Sequence, residues 1–404
     1  MSLGRLALCL GVALVLLAGA ASAQSGGSRS LGVPWDGRLV GGVQLAAESP
    51  NHFTWDPVRR RSPNRGWRRF GNRRLIRTTV RVLREFALAN PTAPRVGVGD
   101  LSRRGGGDFG ARFGGIGHAS HQSGLDVDVY YPRRDRRERP PRVPRQIDRP
   151  LAQELVDRFV AAGAAKVFVG PNTGLRGPPA IVEVLPAHHD NHLHVRLAGD
   201  GVRPKSVGLS TRGLPIRAFT IGSGRPRTLV VGCVHGNECA GSVVATRLLH
   251  ASRLRRGSIT VVQDLNPDGH AVKRRSNARG VDLNRNFPGT WRGLRTAGSA
   301  PASEVETRLA MELIRDLRPD VTIWFHQPQG LVRAWGPSVG IARRYARLAR
   351  MRFERLAWPP GSATAWQHGA RPASRAFVVE LAPGELGLRE AGRYSEAIVR
   401  LSHR

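Results

Sequence analysis

The chain has 404 residues, enough for two domains with separate cores. Its 63 lysines and arginines against 30 acidic residues give a formal charge of +33, the kind of balance that suggests a nucleic-acid partner. The distribution argues against one, because only Lys166, Lys205 and Lys273 are lysines and the arginines are spread over both halves rather than gathered in one stripe.

In chain order, residues 1–23 have the form of a secretory signal. Arg5 supplies the positive start, Leu6 to Leu17 the apolar run, and Ala21-Ser22-Ala23 a small-residue cleavage site before Gln24. The run is too short to span a bilayer and no later stretch is apolar enough, so no stable membrane insertion is expected. A lipid anchor is not expected either, since Cys9 lies inside the apolar run. An exported chain of this charge meets anionic cell-wall polymers by simple Coulomb attraction, and its expected place is the periplasm or cell wall. Cys233 and Cys239 remain after cleavage, too few for a disulfide framework. They read as two small buried apolar side chains, with a local disulfide left open.

Residues 24–200 form the first expected domain. A helix is predicted over Arg73–Ala89, with Ile76, Val80, Leu83 and Ala87 at helical spacing. A glycine-rich loop (Gly105 to Gly117) follows. Gly124 to Tyr131 alternates, with Leu125, Val127 and Val129 on one strand face and Asp126, Asp128 and Tyr130 on the other. The basic run Arg133 to Arg149, interrupted by Pro140, Pro141 and Pro144, reads as a solvated loop. Then come a helix at Leu151–Ala162, a strand at Lys166–Gly170, and a strand in which Leu193, Val195 and Leu197 oppose His192, His194 and Arg196. Ala198 to Pro215 mixes Gly, Ser, Arg and Pro without periodicity, and residues 201–215 are expected to be a linker. In residues 216–404, apolar strands at Thr228–Cys233, Ile259–Leu265, Val321–Phe325 and Phe377–Leu381 alternate with helices near Ala240–Leu254 and Ser303–Leu317. That pattern implies an α/β domain with a mainly parallel mixed sheet.

Two constellations carry chemistry. In the first half, His118-Ala119-Ser120-His121 leads into Asp128, and His188-His189-Asp190-Asn191-His192-Leu193-His194 follows later. A His-x-His pair on a strand is a common coincidence. Two polar strand faces bearing His and Asp, with further imidazoles beside them, can instead converge on a tetrahedral zinc that keeps one position open. These clusters, with Leu31-Gly-Val-Pro34 and Gly99-Asp-Leu-Ser102, resemble the penicillin-insensitive murein endopeptidases of the LAS group of zinc peptidases. The resemblance implies an α+β domain with an antiparallel sheet and makes His121, Asp128 and His194 zinc ligands. It makes His189 and His192 active-site histidines, candidates for the base, with His118 supporting the site from behind. The substrate it implies is the D-alanyl–meso-diaminopimelyl cross-link of peptidoglycan.

In the second half, His235-Gly-Asn-Glu238 follows a predicted strand, and His326 and Glu380 end two more, so these groups meet at the C-terminal edge of a parallel sheet, where open α/β sheets bind ligands. With Gly280-Val-Asp-Leu-Asn-Arg-Asn-Phe287, the set resembles the zinc carboxypeptidase family, and its murein peptide amidase branch through Pro360-Gly-Ser362 and Trp366. The resemblance makes His235, Glu238 and His326 zinc ligands, with Asp282 holding His235 in place. Glu380 becomes the general base, Arg275 the oxyanion group, and Asn284 and Arg285 the grip on a substrate carboxylate. No tyrosine lies between Tyr345 and Tyr394, where digestive carboxypeptidases carry a mobile one; Trp358 and Trp366 stand in that region. The expectation is a secreted two-enzyme protein with one zinc per domain, acting on peptidoglycan stem peptides. The second site would cut the γ-D-glutamyl–meso-diaminopimelate bond. Two alternatives stay open: a second domain that deacylates N-acyl amino acids, and a wall-binding protein without catalysis.

Overall fold

The computed structural model describes residues 27–110, 117–250 and 254–402, so the expected signal stretch and residues 111–116 of the glycine-rich loop lie outside the described residues. The first half is built on a six-stranded sheet: β1 (His52–Thr54), β2 (Val96–Val98), β3 (Asp126–Tyr130), β4 (Ala164–Val169), β5 (Val182–Val184) and β6 (His192–Leu197). Its spatial order is β1-β2-β3-β6-β4-β5. The sheet is mixed: β2, β3, β6 and β4 run antiparallel, but β1 joins β2 and β5 joins β4 in parallel. The antiparallel sheet that the resemblance implies holds for the centre and not for the two three-residue edge strands, which pair in parallel.

Helices α1 (Arg73–Ala89) and α2 (Arg149–Ala161) cover one face. Each starts on a capped N–H: the Asn72 side chain accepts from Arg74 and Asp148 accepts from Leu151. The buried stripe of α1 is Leu75, Thr79, Val82, Leu83 and Phe86, while Val80 is exposed. The helix is therefore rotated by about one position from the predicted face. Its apolar residues support two overlapping stripes, and the one carrying Phe86 buries more area. The basic run is largely exposed as expected, except at its base, where buried Arg133 bonds Asp135 and Gln146.

The second half holds an eight-stranded mixed sheet: β7 (Arg203–Leu209), β8 (Pro215–Gly222), β9 (Arg227–Val231), β10 (Ser258–Val262), β11 (Val321–His326), β12 (Leu331–Ala334), β13 (Arg352–Arg355) and β14 (Arg375–Glu380). Their order is β7-β8-β10-β9-β11-β14-β12-β13, with β10, β9, β11 and β14 parallel. Helices α3 (Gly241–Leu248), α4 (Pro267–Ala271), α5 (Val305–Leu317), α6 (Val339–Ala349), α7 (Ala363–Ala370) and α8 (Leu388–Leu401) flank it. Among the described residues no helix is long and apolar enough to cross a membrane.

The predicted linker is not one. Residues 203–209 form edge strand β7, paired antiparallel to β8. A strand at a sheet edge with mostly exposed side chains carries no apolar alternation, so periodicity could not reveal it. Each half keeps a core of its own, that of the first holding Leu83, Phe86, Val127, Val129, Leu155 and Val195, but the two halves abut. Ala165, Ala198 and Val202 join Phe219, Val244, Leu248 and Leu249 in one buried cluster, and the Gly199 N–H donates to the Leu249 carbonyl at 2.7 Å.

Candidate metal centres and their clefts

The first centre forms across one strand pair. Antiparallel register sets His194 opposite Asp128, His192 opposite Tyr130 and Arg196 opposite Asp126, so these side chains share the face turned away from the helices. His121 enters from the preceding loop with φ +67°, a left-handed backbone that is rare for a residue with a side chain. Its Nδ1 bonds the Leu101 carbonyl, which leaves Nε2 pointing at Asp128.

Asp128 Oδ1 is the focus. His121 Nε2 lies 3.4 Å away, His194 Nδ1 3.6 Å and His192 Nε2 3.6 Å. Ligands about 2.0–2.1 Å from a tetrahedral zinc lie about 3.3 Å from one another. Asp128 Oδ1 and His121 Nε2 are buried and have no hydrogen-bond partner among the described residues, a costly arrangement without a cation between them. The donor set therefore fits a divalent metal. His118 also comes within 4.8 Å of both His121 and Asp128 through its ligand atoms, but its Nε2 is engaged with Asp100 at 2.9 Å.

Two carboxylates that the sequence motifs leave without a role hold this centre together. Asp126 accepts from His194 Nε2 and from Arg196 Nε, both at 2.7 Å. Bonding Nε2 in this way fixes the tautomer that leaves the His194 Nδ1 lone pair facing Asp128. Burial raises the Asp126 pKa, but the Arg196 charge and the His194 hydrogen bond outweigh it and hold the group below the usual carboxylate range. Asp100 is likewise fully buried, and Arg68 and His118 hold it down at about 2 against the opposing effect of burial. The signal for Asp126 is its place on the strand face of Asp128, opposite Arg196. Asp100 carries no periodic signal. Arg68→Ala should strand the buried Asp100 charge and destabilise the protein by about 3–5 kcal/mol, read as a lower urea midpoint, whereas substituting exposed Arg73 should leave the midpoint in place.

Burial pushes His192 down to about 4, so it is a neutral imidazole at neutral pH, and burial lowers His189 in the same direction. Both line a cleft of about 630 Å³ with Asp128, His194, Trp35, Phe168 and Leu388.

The second centre forms where β9, β11 and β14 end. Parallel register pairs His326 with Glu380. Past β9, the turn closed by the Glu238 N–H donating to the His235 carbonyl at 2.9 Å brings both motif side chains inward. His235 Nδ1, Glu238 Oε2 and His326 Nδ1 lie 2.9, 3.1 and 3.2 Å from one another, all buried, close to the edges of a zinc tetrahedron. Asp282 accepts from His235 Nε2 at 2.8 Å, which leaves the His235 Nδ1 lone pair facing Glu238 and His326. Asp282→Ala should weaken zinc binding at this site by roughly 10–100-fold in a chelator competition.

Glu380 faces the same cleft, of about 210 Å³, with its Oε2 buried and without a partner among the described residues. Burial, then the nearby Glu238 charge, raises its pKa, as suits a base. Asn284 and Arg285 line this cleft. Arg275 does too, but its guanidinium is committed to Glu238 through Nη1 and to Asp282 through Nε, so it also orients those two acids. Trp358 lines the cleft, whereas Trp366 packs against Phe287 in the core with ring centroids 5.8 Å apart. Arg333 on β12 also reaches the cleft, unread in the sequence because a single arginine on a short strand carries no pattern.

Cys233 and Cys239 are joined in a disulfide, with Cα atoms 4.6 Å apart, rather than standing as two free side chains. The turn through His235–Glu238 folds the chain back and brings them together. Asp264 and His270 lie beside the sulfurs, but the sulfurs are bonded to each other.

Each half matches a family of metallopeptidases. Residues 30–160 match the penicillin-insensitive murein endopeptidase family, a stretch that includes His118, His121 and Asp128, and residues 195–337 match the zinc carboxypeptidase family, including His235, Glu238 and His326. Among particular proteins, the chain is similar to murein peptide amidase A of Escherichia coli K12, 34% identical over 142 residues, covering 30% of this chain and 57% of that protein. It is also similar to murein peptide amidase A of Vibrio campbellii, 32% identical over 152 residues, covering 32% of this chain and 60% of that protein. The chain thus spans less than two thirds of the length of these relatives. Among solved structures, the murein-tripeptide amidase of Escherichia coli O157 aligns at 25% identity and a TM-score of 0.42, over 50% of this chain and 92% of that one.

Proposed function

We propose that the chain is an exported peptidoglycan hydrolase with two separate zinc-dependent peptidase sites, the first of LAS type. The first would cleave D-alanyl–meso-diaminopimelyl cross-links, and the second would cleave the stem peptide at the γ-D-glutamyl–meso-diaminopimelate bond. The observation that carries this reading is two donor clusters, His121, Asp128 and His194 with partly buried His118 beside them and buried His235, Glu238 and His326, each opening on its own cleft and sharing no residue.

In the second site His235, Glu238 and His326 would hold the ion, and in the first His121, Asp128 and His194. Zinc at such sets polarises the scissile carbonyl and makes water acidic enough to attack near neutral pH. The rest falls to the protein. Glu380, its pKa raised by burial, takes a proton from the attacking water and returns it to the leaving amine. Arg285 and Asn284 grip a substrate carboxylate, for which a planar guanidinium is suited. In the first cleft His192 and His189 line the space beside the donor set and would take the same proton.

Cross-linked dimeric muropeptide and free stem tripeptide, each incubated with the zinc-loaded protein, test both activities by mass spectrometry of the products. Monomers from the dimer and free diaminopimelate from the tripeptide are expected, and chelation should stop both. Penicillin should stop neither, because no acylated serine takes part. Intact dimers would remove the first assignment and intact tripeptide the second.

A further inference from the structure

The first cleft is not made by the first half alone. Leu388, the first residue of α8 in the second half, lines it although 66% of its surface is exposed. Trp35, on the same cleft and itself partly exposed, carries the guanidinium of Arg196 5.7 Å from its ring and that of Arg247, from α3 of the second half, 5.8 Å away. Arg196 is in turn bonded to Asp126, which orients His194. Helix α3 begins two residues after Cys239, so one short helix runs from the ligand turn of the second centre to the wall of the first. The packing of Ala198 and Val202 against Leu249, with the Gly199 N–H donating to the Leu249 carbonyl, keeps this arrangement in place.

We propose that the second half completes the substrate cleft of the first site. Leu388 and the Arg247-backed Trp35 form an apolar wall with a cationic margin, and that wall selects a peptide with a small apolar side chain next to a carboxylate. The inference rests on the proposed cross-link cleavage, since a D-alanyl methyl and a stem carboxylate offer this chemistry. A wall of Trp35, Phe168, Leu185 and Leu388 stabilises an apolar group by excluding water, Arg196 on the cleft attracts the acid, and Arg247 adds its charge from behind the Trp35 ring. The two sites then share helix α3 as a support while keeping separate clefts and separate chemistry.

The test uses the full chain, zinc-loaded, with Leu388→Glu, Leu388→Met and Arg247→Gln assayed on cross-linked dimeric muropeptide and, as a control for folding, on the tripeptide substrate of the second site. Leu388→Glu should raise KM for the dimer on the order of tenfold, the equivalent of about 1.4 kcal/mol. Leu388→Met should restore it, and Arg247→Gln should raise KM by a smaller factor. All three should turn over tripeptide as the parent does. An unchanged dimer KM in Leu388→Glu overturns the inference and leaves the functional proposal standing. A parent protein that leaves dimers intact removes the cross-link assignment and this inference with it. A fall in kcat with KM unchanged would place Leu388 in a structural role and also overturn it.

Discussion

Glu380→Gln should remove most of the second activity, on the order of a hundredfold or more in kcat, while the protein keeps its full complement of zinc. The reason is positional. Glu380 ends β14 beside His326, faces the cleft, and keeps a buried carboxylate oxygen without a partner among the described residues. The three mutually close donors are His235, Glu238 and His326, and Glu380 is not among them. Glutamine keeps the shape and removes the ability to accept a proton. Metal analysis together with tripeptide turnover checks the result. Loss of zinc in parallel with activity would make Glu380 a ligand and break the assignment of roles.

Asp128→Asn should have an effect at least as large on the first activity, for a different reason. Three imidazole nitrogens converge on Asp128 Oδ1, and burial raises its pKa less than the His121 and His192 charges lower it, so the group is held well below the usual carboxylate range. An amide removes the negative charge at the centre of the set. Bound zinc should fall from two ions per chain to one. Cross-link cleavage should fall on the order of a thousandfold or more, since a metal contributes several kcal/mol to such a reaction. Two ions retained by Asp128→Asn would point to His118 as the ligand that completes the set with His121.

Asp128, His194, His326 and Glu380 are legible in the sequence because they sit on strands, whereas loop residue His121 and the turn residues His235 and Glu238 are read from their motifs alone. Alternation in Gly124–Tyr131 and in Leu193–Leu197 assigns Asp128 and His194 to the polar faces of two strands, and β3 and β6 pair in a register that brings those faces together. Strand ends give His326 and Glu380 in the same way. What escapes has long-range causes. Asp100 matters because Arg68, 32 residues away, pairs with it inside the protein. Edge strand β7 resembles a linker since its side chains are largely exposed and show no period. The Arg275 engagement with Glu238 and Asp282 depends on a loop closing onto the ligand turn. The joint between the halves is hidden for a similar reason: Ala165, Ala198 and Val202 are small or lone apolar residues whose partners lie in the second half.

The most direct test of the central claim, two separate peptidoglycan-cleaving sites in one chain, is the fragment pattern from purified sacculi. Zinc-loaded parent, His121→Ala and Glu238→Ala proteins would be compared by mass spectrometry of the released material. His121→Ala should leave cross-linked stems intact yet still trim uncross-linked ones, and Glu238→Ala should release monomers that remain untrimmed, because each substitution strips one donor from one cluster and leaves the other whole. If either single substitution, in a protein that still folds, silences both reactions, a single site does all the chemistry and the two-site account is wrong.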